Sequence, residues 1–385
     1  MYFCFLKING RIENNNPIVM KKFTMIAIMM SIASFAMSQN FWTEIALPDS
    51  CNLVNIDGTS NGNLYAATNN GLYKSTDNGN EWNLTGMSVS CGNVYIDKND
   101  VIYVNHGNQL MYSSDDALIW DTIQMPVDKG ILFANDSVII VGRLNWSGIY
   151  ISHDYGDTWT HLQVLVSGYA RKIYEVNGML ILCTFSYNGE GGFFLSHDYG
   201  MAWEPTSLNR VYFYGTGAAS NSQGVIFLSS NDGAFKSDDN GQSWQVIVPP
   251  GTLIDIMITT EDDIYVAYDN TFSKKFNPYG VYRSSNNGET WEYINSGMGD
   301  DINISGLFQA SNGSIFAYRE RLFRHSPEMP GDANGDMKVD VNDIQCIISF
   351  MMSDIESIEF TNADVNNDGI INILDIVATV NLIFQ

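Results

Sequence analysis

Ser75-Thr-Asp77-Asn-Gly79-Asn-Glu-Trp82 is the stretch that decides the fold, because the chain writes it again and again. The same skeleton, Ser-x-Asp-x-Gly-x-x-Trp, returns at Ser152 to Trp159, Ser196 to Trp203 and Ser237 to Trp244. Two looser copies have Ala117 in place of Gly (Ser113 to Trp120) and Asn286 in place of Asp (Ser284 to Trp291). The Ser and Asp oxygens can cap the amides of their own turn, Gly accepts a positive φ, and Trp packs the turn onto its blade of sheet. Apolar bursts surround each copy, for instance Leu53 to Ile56, Leu64 to Ala67 and Gly71 to Lys74, so each period reads as four short strands.

Tryptophans at 42, 82, 120, 159, 203, 244 and 291 recur about every 40 residues, the period of a four-stranded propeller blade. Trp42-Thr-Glu-Ile45 has no such turn before it, whereas the last set, Ile304 to Leu307, Ser314 to Tyr318 and Leu322 to His325, has no Trp strand after it. The N-terminal strand is therefore expected to complete the final blade and remove the ring's free edge. The fold class expected is mainly β: a seven-bladed propeller over residues 39–327, followed by a small helical domain.

The repeated octapeptide resembles the Asp-box, or BNR, repeat of sialidases, some endoglucanases and sortilin-like receptors. The resemblance implies that these turns are structural and remote from the ligand face. That face is expected from loops between second and third strands, which contain His106, Arg143, Trp146, Tyr187, Glu190, Asp232, the segment 269–280, Arg319 and Arg321. Trp146, Tyr187, Glu190, Asp232, Phe272, Lys274, Phe276, Tyr279 and Arg319 are the candidate ligand-binding residues, offering aromatic faces and both charge signs to a glycan or protein. Catalysis is harder to place. A sialidase resemblance would require an Arg-Ile/Leu-Pro motif, which is missing, and xyloglucanase-like enzymes set their carboxylates between two propellers where this chain has one. No Gly-x-Ser-x-Gly, Walker loop, His-Glu-x-x-His or Cys-x-x-Cys occurs, and the five histidines do not cluster in sequence.

After Pro327 and Pro330 the composition changes, with residues 328–330 read as a linker. Asp332, Asn334, Asp336, Asp340 and Asp343 occupy positions 1, 3, 5, 9 and 12 of one loop, and Asp364, Asn366, Asp368, Asn372 and Asp375 repeat the register 32 residues later. Oxygen donors so spaced wrap a hard cation, Ca2+, with a main-chain carbonyl expected at position 7. Each loop runs into an apolar helix. This duplicated loop-helix unit, 331–385, resembles a type I dockerin, which implies two Ca2+ sites and a cohesin-like protein or cell-surface scaffold as partner. Met337 departs from the usual Gly at position 6. Val341-Asn342 and Ile373-Leu374 make the implied partner-selecting positions more apolar than usual, suiting an unfamiliar cohesin or the chain's own propeller.

Composition agrees with an extracellular protein. The 385 residues carry 43 Asp+Glu against 19 Lys+Arg, and a net charge of −24 repels phosphate backbones, so nucleic acid is not an expected partner. Met20-Lys-Lys, the apolar run Phe23 to Met37 and Ala36-Met37-Ser38 read as a secretory signal (20–38), with residues 1–19 an upstream start extension. No other stretch is long and apolar enough to span a bilayer, so none is expected in the mature chain. Cys51 and Cys91 open matching segments and are weighed as a disulfide pair. The function expected is a secreted protein that binds a glycan or protein through its propeller and is recruited by its tail, in polysaccharide utilisation. A glycoside hydrolase with its active site on the propeller face is the alternative.

Overall fold

The computed structural model describes residues 41–384 apart from 49–50, 128–129, 143–147, 165–168, 186–189, 249–251, 269–278, 300–301, 337, 353–357 and 367–368. The upstream extension and signal segment, Trp146, Tyr187, Phe272, Lys274, Phe276 and Asp368 lie outside the described residues.

Seven four-stranded antiparallel sheets follow one another along the chain, six of them in simple sequence order. Blade 1 consists of Leu53–Gly58, Leu64–Thr68, Gly71–Ser75 and Asn83–Leu84. The seventh sheet joins Gly306–Gln309, Ile315–Tyr318 and Leu322–His325 to the distant strand Thr43–Ile45, with Thr43 opposite Arg324 and Ile45 opposite Leu322. Closure by the N-terminal strand is thus as expected, although the blade's first strand starts two residues later than the sequence suggested. Arg321 donates from Nε to Glu44 at 2.7 Å across the same join, and that bond holds the Glu44 carboxyl below its ordinary range. Trp42 is buried, and its indole donates to the Ile294 carbonyl at 2.5 Å.

The repeated turns behave as their chemistry requires. In all six copies the Ser hydroxyl accepts the amide four residues on, at 2.7–3.1 Å. The Asp or Asn oxygen accepts the amide four residues beyond itself at 2.8–2.9 Å. Gly79, Gly156, Gly200, Gly241 and Gly288 have φ between 82° and 93°, where glycine is unstrained.

The role expected of the tryptophans needs one correction. Rather than packing a turn only onto its own blade, each is wedged against the preceding one: Trp203 of blade 4 lies with Ile140 and Ile151 of blade 3, and Trp244 of blade 5 with Leu195 of blade 4. Two hydrophobic sheet faces meet at each junction, and the indole fills their outer edge. Trp42, on the strand that completes blade 7, packs in the same way against Tyr265 and Ile294 of blade 6.

A second correction concerns the cysteines. Cys51, Cys91, Cys183 and Cys346 are all free thiols. Cys91 is buried, its Sγ against the Met87 sulfur and the Val89 carbonyl, whereas Cys51 lies beside Asn70. Matching places in consecutive blades lead these two side chains into different surroundings.

Beyond the ring, helices α1 (Val341–Met351) and α3 (Ile373–Ile383) flank the short α2 (Phe360–Ala363) around a small core of Ala333, Ile347 and Ala363. Among the described residues no helix is long and apolar enough to cross a membrane.

Candidate functional site

Blades 1 to 4 and blade 7, chiefly through their first strands, line a cavity of about 720 Å³. Asn55, Asp57, Asn93, Tyr95, Arg171, Lys172, Tyr174 and Tyr318 are among its lining residues. Most of its polar groups already have work. Asn55 bonds both the amide and carbonyl of Val94, and Asp57 accepts the amides of Ile96 and Gly58 at 2.8 and 2.9 Å. Asp255 of blade 6, outside the lining, likewise accepts from Ile256 and Leu307, at 3.0 and 3.1 Å. A side chain from one blade thereby ties the first strand of the next, so the polar axis is part of the ring's construction.

Charge is nevertheless concentrated there. Burial pushes the Asp57 carboxyl up to about 7, against the opposing pull of its two amides. Lys172 stands 3.9 Å from Asp255, whose carboxylate keeps it protonated well above the lysine range, and its ammonium sits 5.5 Å from the centre of the Tyr174 ring. Tyr318 is pushed up to about 12, chiefly by burial. Among the described residues, none of the ligand-face candidates expected from sequence lines this cavity. The signal that could have found it is a charged residue inside an otherwise apolar first strand, as in Asn55-Ile-Asp57 or Ile254-Asp255-Ile256.

The described ligand-face candidates Glu190, Asp232, Tyr279 and Arg319 fall in four consecutive blades, 4 to 7. Asp232 sits in the turn between Ile226–Ser230 and Gly233–Ser237 of blade 5, paired with Arg210. Tyr279 precedes Gly280–Ser284 of blade 6, and its carbonyl accepts from Asn295 at 2.8 Å and from the Tyr293 hydroxyl at 3.2 Å. Arg319, in the turn after Ile315–Tyr318 of blade 7, donates to Asn303. Glu190 belongs to a short ribbon in blade 4, Glu190–Gly191 against Arg210–Val211, that the repeat did not foretell.

Of the C-terminal cation-ligand candidates, all but Asp368 are among the described residues. Asp332, Asp343 and Asp375 are fully buried, and Asp364 nearly so. Asp343 accepts the amides of Asn334 and Asp340, and Asp375 those of Asn366 and Asn372. Positions 9 and 12 do double duty: Asp340 with Asp343, and Asn372 with Asp375, form capping boxes that start α1 and α3. Burial first, then the charges of Asp336 and Asp340, raise the Asp343 carboxyl. Among the described residues no three His, Cys, Asp or Glu side chains form a ready-made cage. The donor set is instead carboxylate, amide and carbonyl oxygen strung along a loop, with Lys338 exposed, and that chemistry fits a hard divalent cation. Val341 at the start of α1, and Ile373 and Leu374 at the start of α3, are exposed.

Residues 330–383 match the family model of the dockerin type I domain. No curated protein sequence matches the chain significantly. In fold, the chain is similar to YCF48 from Cyanidioschyzon merolae (TM-score 0.57, 13% identity, covering 75% of this chain and 99% of that one). It is also similar to the GH74 xyloglucanase from Xanthomonas campestris (0.56, 12%, 72% and 52%). The extracellular domain of BT4673 from B. thetaiotaomicron gives 0.58 at 12%, covering 76% of this chain but only 40% of that longer one. These likenesses establish a propeller ring bearing a dockerin type I match.

Proposed function

We propose that this is an extracellular docking protein: a propeller that binds a glycan or protein, recruited through its C-terminal module to a cohesin-like protein or cell-surface scaffold. The observation that carries this reading is the dockerin match over 330–383 together with two loop-helix units in one ligand register. Each loop would hold one Ca2+, the first through Asp332, Asn334, Asp336, Asp340 and Asp343 and the second through Asp364, Asn366, Asp368, Asn372 and Asp375. The ion supplies the charge that lets these acidic loops close. Exposed Val341, Ile373 and Leu374 would then face the partner. Residues 20–38 direct export, and 39–327 form the mature ring.

For the ligand, the axial cavity adds Tyr95, Tyr318, Arg171 and Lys172 to the loop residues Asp232, Tyr279 and Arg319. Hydrolysis, the second reading, has the fold shared with a xyloglucanase in its favour. Asp57 would be its acid, yet both its oxygens, like those of Asp255, are held by main-chain amides. Calorimetry against a panel of purified cohesins, in calcium and in chelator, tests recruitment: binding lost in chelator is expected, and no binding to any cohesin would overturn it. Glycan and peptide arrays test the ring, with binding but no release of reducing sugar expected. Sugar release abolished by Asp57→Asn would establish the hydrolase instead.

A further inference from the structure

The module does not hang from a free tether; Asn40 to Gln385 form one compact unit, and the first acidic loop and Glu359 both contribute to the join. Asn78, in the repeated turn of blade 1, donates to the Gly335 carbonyl at 3.0 Å and is itself 2% exposed. Its neighbour Asn80 donates to the Asn334 carbonyl at 3.3 Å. Arg324, on the last strand of blade 7 and also 2% exposed, donates to the Asn78 carbonyl and the Asn80 side chain at 2.8 and 2.9 Å. It reaches Glu359 of the module at 3.5 Å. Gly335 lies so close over the guanidinium that a Cβ there would stand 2.5 Å from it.

We infer that the propeller is the outer wall of the first cation site, so that cation binding in this loop and locking of the module onto blades 1 and 7 are one coupled event. Asn334 and Gly335 are positions 3 and 4 of the loop, and blade 1 takes both carbonyls, while the Asn334 side chain stays within the loop, its Oδ1 accepting the Asp336 amide at 2.9 Å and its Nδ2 donating to Asp336 at 3.3 Å. A loop already held in its binding conformation loses less entropy when it closes, so the docked loop binds the ion more tightly. Linkage makes the effect mutual: the ion tightens docking by the same factor as docking tightens the ion. The loop that lacks Gly at position 6 is thus the one supported from outside.

The coupling rests on the function proposed above, and the experiment separates the two. Every tryptophan lies at or before Trp291, so tryptophan fluorescence reports the ring alone. Asn78→Gly keeps the positive φ of 58° at that position, and with Asn80→Ala it removes the contacts without changing any charge; because it also removes the bonds of Asn78 to Ser314 and Asn312 within the ring, the quantity compared is the calcium-dependent difference. In the wild-type full chain, calcium is expected to raise the tryptophan-reported melting temperature, and calorimetry to show two binding events. In the double variant one event should weaken about tenfold, the usual size of such coupling, and the calcium-dependent rise should shrink. Asn80→Ala alone, on an exposed side chain, should give a smaller change in the same direction and serves if the double variant fails to fold. Two unaltered binding events in the variants, or a wild-type ring indifferent to calcium while the module binds it, would overturn the coupling alone. A wild-type chain that takes up no calcium would overturn the function itself.

Discussion

Ser196 uses its hydroxyl twice, donating to Asp198 and accepting the Gly200 amide, both at 2.8 Å, while only 1% exposed. Ser196→Ala would leave that amide buried without a partner and should destabilise the ring by about 1–3 kcal/mol, read by chemical denaturation. The acidic partner sets a pH limit. Hydrogen bonds to Thr158 and Ser243 hold Asp154 and Asp239 down to about 2. A lowered carboxyl stabilises the fold fully above about pH 4, and that contribution disappears as the pH falls towards 2. Asp57 has the opposite sign. With its folded value near 7, the native state holds a proton that the unfolded chain releases near 4, so this residue's contribution worsens as pH rises from about 4 to 7. The melting temperature of the wild type relative to Asp57→Asn should therefore fall across that interval, and a constant difference would refute the assignment. Chemistry of this local kind was legible wherever a residue acts on its own turn. The axial residues were not, because Asp57 and Asp255 act on the neighbouring blade's backbone and carry no repeated spacing.

At the level of the strand, Trp42 shows what the ring depends on. It reaches the Ile294 carbonyl and fills the junction between blades 6 and 7, and its own strand pairs with residues nearly 280 positions away. Trp42→Ala should cost about 3–5 kcal/mol, more than an exposed substitution anywhere on the outer strands, and unfolding curves would show it. The seven strand sets were readable from the period of the tryptophans because each blade solves the same packing problem with the same residues. The ribbon Glu190–Gly191 with Arg210–Val211 was not, since an insertion inside one blade has no counterpart elsewhere to reveal it. The position of each indole against the preceding blade was also hidden, because the octapeptide specifies a turn and says nothing of its neighbour.

For the molecule as a whole, chelation should release the module while the ring stays folded. Protease should then cut within residues 331–385 in chelator and spare them in calcium, with the tryptophan signal native in both. Equal resistance in the two conditions would count against calcium-dependent folding of the module. The two-domain plan could be read from the change in composition after Pro327, but the docking could not. Asn78 and Asn80 look like ordinary turn residues and Arg324 like an ordinary strand residue until the loop is laid over them.

Where the module rests has a mechanical meaning. Glu359 bonds Thr43 on the first strand and Arg324 on the strand beside it, so the module bridges the two strands whose pairing shuts the ring. Tension from an anchored partner would enter the disc at His325, beside the strand pair that closes the ring. With the module seated, that pull spreads over both strands as shear and is not left to peel the last one away.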